Sequence, residues 1–195
     1  MNRGSEEVGA ERDPHRFDPA AADKLEETER YRYLSRDELV EALDPDSEDR
    51  IADIGSGTGF YSRDLASFVE RVVAVDLQPA MHGAFRSAGL PPNVIQVLAK
   101  ADSLPFVDAA FDGLFSTMTL HEFDRGAPTE LYRVLASDGR LVVVDWSGAG
   151  AGERGPPLES RLEPATAADL VEGAGFEVIE TRSRPETFVI VGLKP

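Results

Sequence analysis

Ile51-Ala52-Asp53-Ile54-Gly55-Ser56-Gly57-Thr58-Gly59-Phe60 is the stretch on which the fold turns. A short apolar run breaks into glycines at alternate positions, and a helical pattern follows in which Tyr61, Leu65, Phe68 and Val69 share a face. Glycines let the backbone turn sharply and approach a ligand closely, and the helix start behind them offers unpaired N–H groups. A dinucleotide-binding turn places its third glycine five residues after the first, where this chain has Phe60. It also brings a diphosphate to the loop, which the carboxylate of Asp53 would repel. An amino-bearing ligand without phosphate would be attracted by the same acid. Read without a ligand, Asp53 is a turn-forming acid at a strand end.

Apolar runs recur at Ile51–Ile54, Val72–Val75, Val94–Leu98, Leu114–Phe115 and Leu141–Val144. They are short, mostly β-branched and continuous, as strands covered on both faces should be. Their starts are 21, 22, 20 and 27 residues apart, the spacing of strand–helix–strand crossovers. Helical faces fall between them: Met81 with Phe85, and Leu131 with Val134 and Leu135. The pattern predicts a doubly wound, Rossmann-like α/β sheet. Near the end, Phe176–Thr181 and Thr187–Leu193 are joined by a link too short for a parallel crossover, so they should pair antiparallel. Thr166-Ala167-Ala168-Asp169 reads as the start of the helix before them, with Gly175 as its stop. The glycine- and proline-rich residues 146–165 read as a mobile connector.

Ahead of the sheet, residues 1–16 read as a flexible tail and 17–195 as one domain, with 17–48 a helical lid and 49–195 the core. Asp18-Pro19 suits a helix start, and Ala20 to Tyr33 is rich in helix formers. Ser35-Arg36-Asp37-Glu38 is a capping box opening a second helix with Leu39, Val40 and Leu43 on one side.

The chain has 195 residues, 42% of them hydrophobic, which supports a folded domain with a real core. Without cysteine there is no disulfide, thiolate nucleophile or cysteine-held metal. Three scattered histidines, His15, His82 and His121, argue against a metal site. No apolar run approaches a membrane span, and the N-terminus lacks a signal-peptide pattern, so a cytoplasmic protein is expected. The net charge is −16, and the only lysines are Lys24, Lys100 and Lys194. Such a surface repels phosphate backbones and anionic lipid, against a nucleic-acid or membrane partner. It also resembles proteins of halophilic microbes, since at molar salt the Debye length falls to about 3 Å and the repulsion is screened.

Four ordered motifs resemble the class I S-adenosylmethionine (SAM)-dependent methyltransferases, specifically the small-molecule branch called type 11. Asp53-x-Gly55-x-Gly57-x-Gly59 is similar to the family's first motif, and Asp76 closes the second strand 21 residues after Gly55. Ala101-Asp102-Ser103-Leu104-Pro105-Phe106, with Asp108, Phe111 and Asp112, resembles the branch's acid-to-Leu-Pro-Phe stretch. Leu131 to Leu135 followed by Gly139-Arg140-Leu141 resembles a helix-to-strand signature, with Ala136-Ser137-Asp138 where proline and glycine are usual. The resemblance covers residues 17 to 193 and implies a sheet of order 3-2-1-4-5-7-6 with strand 7 antiparallel. It implies SAM as cofactor: Asp53, Gly55, Ser56, Gly57, Thr58 and Gly59 toward the methionyl end, Asp76 and Leu77 toward the ribose, and Ala101, Asp102 and Ser103 toward the adenine.

The segment Ser116 to Phe123 follows the fourth strand, at the sheet end where ligands bind. In the resembling family it borders donor and acceptor, so Thr117 is expected beside the cofactor. His121 is a candidate base or substrate contact and Glu122 a second contact; a lone histidine is also a common structural residue. Tyr31 and Tyr33 on the lid and Trp146 before the connector are candidate walls for a small-molecule acceptor, or packing residues. Arg125, Arg154 and Arg161 either receive an anionic substrate or are ion-paired. The function expected is methyl transfer from SAM to a small molecule. The alternatives are a non-catalytic SAM-binding module and, less favoured by the loop, an NAD(P)-linked reductase.

Overall fold

The computed structural model describes residues 17–195; the tail expected over 1–16, and His15 with it, lies outside the described residues. Seven strands form one sheet: β1 (Arg50–Ile54), β2 (Arg71–Asp76), β3 (Val94–Leu98), β4 (Phe111–Thr117), β5 (Leu135–Trp146), β6 (Glu177–Ser183) and β7 (Thr187–Leu193). Their order is 3-2-1-4-5-7-6. β1, β2, β3, β4 and β5 pair in parallel, while β7 runs antiparallel to both β5 and β6. The short Arg184–Glu186 link leaves no room for a crossover, and the antiparallel ending follows from that.

Continuous apolar strands are explained by burial on both faces. Ile51, Val72, Ala74, Phe115, Val142 and Val144 point to one side, against α1 (Arg36–Leu43), α2 (Phe60–Leu65) and Phe85 of α3 (Pro79–Gly89). Ala52, Ile54, Val73, Leu114, Leu141 and Val143 point to the other, against α4 (Ala127–Val134) and α5 (Pro164–Gly173). The capping box predicted at Ser35 is present: Ser35 Oγ accepts from the Glu38 N–H at 3.2 Å, and Glu38 Oε2 accepts from the Ser35 N–H at 2.9 Å.

Three sequence expectations are corrected. The helix expected over Ala20 to Tyr33 is two 3₁₀ helices, Pro19–Glu26 and Thr28–Arg32, separated by extended Glu27. Neither buries a residue, so no apolar face selects a continuous α-helix there. The last helix starts at Pro164 rather than at a Thr166 cap. Proline suits the first helical position, and the Glu163 carbonyl accepts the first-turn bond from Ala167 at 3.0 Å. Residues 146–165, expected to be mobile, form a pinned loop. Arg161 Nη1 donates to Glu186 Oε2 at 2.8 Å and Arg161 Nε to the Pro156 carbonyl at 2.9 Å. Glu186 in turn accepts from the N–H groups of Gly152 and Glu153. Arg161 is therefore ion-paired, one of the two outcomes its sequence position allowed.

Gly59 shows why the first turn needs glycine. It caps α2 at φ 74°, and a Cβ there would lie 2.1 Å from Phe85 Cε1, inside a fully buried ring. Gly59→Ala combines left-handed strain with overpacking, and we expect a loss of about 3 kcal/mol or more in denaturant unfolding.

Candidate active site

The carboxyl ends of β1, β2, β4 and β5 open into a cavity of about 550 Å³, within the size range of small-molecule sites. Its floor is the glycine turn. Gly55 N and Ser56 N both donate to the Val75 carbonyl, at 2.8 and 2.9 Å, and Gly57 N donates to Asp76 Oδ2 at 2.8 Å. Asp76 Oδ1 takes the Gln78 N–H at 2.8 Å. Three successive N–H groups of the turn are thus spent on the end of β2, and none of them is aimed outward at a phosphate. Burial raises the Asp76 pKa, and these backbone bonds work against the rise.

Most residues expected to bind ligand line this cavity: Gly55, Ser56, Gly57, Thr58, Asp76, Leu77, Ala101, Asp102, Thr117, Tyr33, His121, Glu122 and Trp146. Four do not. Asp53 lies beneath the turn, 1% exposed, where Asp53 Oδ2 accepts from Ser62 Oγ at 2.5 Å. Gly59 faces Phe85, and Ser103 sits on an exposed bend whose N–H bonds the Lys100 carbonyl. Tyr31 turns outward to Asp64 at 2.8 Å and packs on Phe60 and Tyr61.

Four buried polar atoms of cavity-lining residues have no hydrogen-bond partner among the described residues, Ser56 Oγ, Thr58 Oγ1, Asp102 Oδ1 and Arg30 Nε, and Asp53 Oδ1, beneath the turn, is another. Leaving one such group unpaired costs roughly 1–3 kcal/mol, so their clustering around one cavity marks a place built for a polar ligand. Arg30, from the second 3₁₀ helix, lines the cavity with its guanidinium 5.4 Å from the ring centres of both Phe60 and Tyr61. The helix is held over the site by its backbone. Tyr61 Oη donates to the Leu34 carbonyl at 3.0 Å, Arg184 Nη2 to the Arg32 carbonyl at 3.1 Å, and the Arg184–Glu38 ion pair anchors the far side.

Across the floor, β4 leaves the sheet through Thr117 and Met118, whose φ of 61° is left-handed. Thr119 follows, its Oγ1 within 2.9 Å of Ser116 Oγ and 3.4 Å from the Ile54 carbonyl. It abuts the glycine turn so closely that a Cβ on Gly55 would lie 2.6 Å from Thr119 Oγ1. His121 comes next, with Nδ1 at 2.9 and 3.0 Å from the two oxygens of Asp145, which is fully buried. Beside it, Trp146 meets Tyr33 with ring centres 4.9 Å apart, and Gly155 of the pinned loop packs on the indole.

Comparison with known proteins accords with this geometry. A family model described as "Methyltransferase domain" matches residues 52–143. An O-methyltransferase of Aspergillus nomiae, rstn1, is 31% identical over 84% of this chain and 78% of its own length. The chain belongs to the SAM-dependent methyltransferase family. A SAM-dependent methyltransferase from Aquifex aeolicus has the same fold, with a TM-score of 0.83 at 24% identity over 92% of this chain and all of that one. A demethylmenaquinone methyltransferase of Thermobifida fusca is 36% identical over 57% of this chain and 50% of its own length. The chain spans about half the length of the first curated relatives it matches.

Two residues of the cavity region escape a reading of the sequence. Asp145 carries a signal only in retrospect: an acid closing the apolar run Leu141–Val144, at the end of the strand next to β4. Arg30 carries none, being one arginine in a segment without a clear period. Among the described residues no cluster of histidines and acids is arranged to hold a metal, and no helix is long and apolar enough to cross a membrane.

Burial pushes Asp53 up to about 7, with the nearby Asp76 charge adding to it and the Ser62 bond and Arg30 opposing it. A carboxyl whose pKa is raised on folding stabilises the fold at low pH and loses that contribution as pH climbs toward the raised value. Asp53→Asn should therefore melt progressively higher than the parent between pH 4 and 7, with the gap levelling off above that. Saturating SAM should narrow the gap if its ammonium lies near this acid; paired thermal melts across pH measure both effects.

Proposed function

We propose that this protein transfers the methyl group of SAM to a small-molecule acceptor. The observation that carries the reading is the set of partnerless polar atoms around a cavity whose glycine turn has spent three successive N–H groups on β2. Such a floor suits a neutral or cationic ligand over a diphosphate, which disfavours a nicotinamide nucleotide. In this reading the methionyl ammonium lies over Gly55 and Gly57, where the field of buried Asp53 reaches it from below. Ser56 and Thr58 face the same end, and Arg30 receives the carboxylate. Asp76, with Leu77 beside it, keeps lone pairs for the ribose hydroxyls. Asp102 Oδ1 accepts the adenine amino group next to Ala101, and Thr117 borders the sulfonium.

The acceptor then enters between the N-terminal segment and the pinned loop, against Tyr33, Glu122 and Trp146. The protein's task is alignment: a nucleophile in line with the carbon–sulfur bond, at about 3 Å, in a cavity shielded from water. An acceptor compartment walled by the Arg161–Glu186 loop favours an enzyme over a module that only senses SAM. We further propose that the surface charge of −16 suits a saline milieu, where it is screened.

Isothermal titration with SAM, S-adenosylhomocysteine and NADH tests the assignment, and binding of NADH alone would overturn it. Asp102→Ala removes an acceptor that nothing in the described protein uses. We expect SAM affinity to fall about 10- to 100-fold while the unliganded melting temperature stays the same or rises. An unchanged affinity would remove Asp102 from the site.

A further inference from the structure

We infer that His121 is the general base of methyl transfer, that Asp145 is its positioning residue, and that the acceptor is an aromatic hydroxyl compound that enters the site still protonated. The inference rests on the methyl-transfer reading above and names its substrate class.

Asp145 is fully buried, and its oxygens already take two backbone N–H groups, from His121 and Trp146, each at 2.7 Å. That frame fixes the carboxylate before the imidazole is considered. His121 Nδ1 then meets both oxygens, at 2.9 and 3.0 Å. An acceptor-only group on Nδ1 holds the proton there and leaves the Nε2 lone pair available. The side chain of His121 is 3% exposed, yet the residue lines the cavity. Nε2 makes no hydrogen bond among the described residues, and the carboxylate of Glu122 stands 3.8 Å away. With Nδ1 turned to Asp145, Nε2 is the ring nitrogen left for a ligand in the cavity that His121 lines.

The surroundings select the acceptor. Trp146 follows Asp145 in the chain, so the positioning acid and an aromatic wall are neighbours on one strand; Tyr33 meets that indole edge to face, and Phe123 lines the same cavity. In the step, the acceptor's O–H proton passes to His121 Nε2. An oxygen lone pair forms the O–CH₃ bond as the carbon–sulfur bond breaks. Its electron pair goes to sulfur, which leaves as the neutral thioether S-adenosylhomocysteine. Asp145 stabilises the imidazolium until the proton is passed to solvent.

Charged groups reach His121 from three sides: Asp145 on β5, Glu122 on its own turn and Arg161 on the pinned loop. Burial and Arg161 oppose the charged ring, but the two acids outweigh them and hold the pKa above its ordinary 6.5. Because the neutral ring is the active form, kcat/KM should rise with pH along a limb centred above that value.

The test uses the full chain, SAM and three phenols of graded acidity: catechol, 4-cyanophenol and 4-nitrophenol, with S-adenosylhomocysteine formation as the readout. His121→Gln should bind SAM as the parent does and lose about 10²- to 10⁴-fold in kcat on catechol. The loss should be much smaller on 4-nitrophenol, which ionises without help. Asp145→Asn should move the pH limb downward. ¹⁵N NMR of the imidazole should show a proton on Nδ1 in the parent and a mixed tautomer in this variant, a change that loss of packing alone would not produce. Failure of the parent to bind SAM would fell the preceding section's reading. With SAM bound, the present inference is overturned by any of three results: no phenol methylated, an equal loss across the three, or a parent imidazole protonated on Nε2.

Discussion

The organisation of this site depends on the bonds that stitch the glycine turn to the end of β2. Val75 offers one carbonyl to two N–H groups, and the Asp76 carboxylate takes a third. A buried carboxylate is costly unless hydrogen-bonded, and a sharp glycine turn leaves N–H groups to be satisfied. Each requirement answers the other. Asp76 is thereby held at the cavity wall with lone pairs to spare, and the turn loses the outward N–H array that a phosphate would need. In the proposed reading, the backbone thus selects ligand charge before any side chain touches the ligand.

On this floor the protein raises two walls of different construction. One is the pair of 3₁₀ helices, neither of which buries a whole residue; the first is tied by the Arg63–Glu26 ion pair and the second by the Arg30 and Arg32 carbonyls, which face Tyr61 Oη and Arg184. The other is the loop after β5, clamped by a buried guanidinium–carboxylate pair in which Arg161 is 1% exposed at its side chain. Arg161 also reaches the carbonyls of Ser147, Arg154 and Pro156, so most of its donors are matched. That satisfaction is what makes burying an ion pair tolerable.

The sheet was legible in the sequence because its strands are uniformly apolar and evenly spaced, so a period and a topology follow from β-branched runs alone. The turn was legible for a related reason: glycines at 55, 57 and 59 record backbone conformations that other residues resist, each with positive φ. What stayed hidden depends on contacts across the chain. Arg161 meets Glu186, 25 residues on, and no composition rule separates a loop clamped this way from a mobile one. Asp145 meets His121 because β4 and β5 are neighbours, so a lone histidine in the sequence is half of a pair in the structure. The sequence places Asp53 just before the glycines, but only the structure shows that it turns toward Ser62 and under the turn.

Thr119 has a consequence for how such a protein diversifies. Its side chain presses against Gly55 while its backbone leads through Leu120 into His121, so the glycine bend and the segment carrying the proposed base interlock as one casting. Enlarging either would displace the other, and in the proposed reaction the separation between electrophile and proton acceptor is thereby inherited as a fixed dimension. Novelty in substrate preference must then arise at the periphery, by exchange of the hooding segment or the clamped loop, with the interlocked centre left untouched.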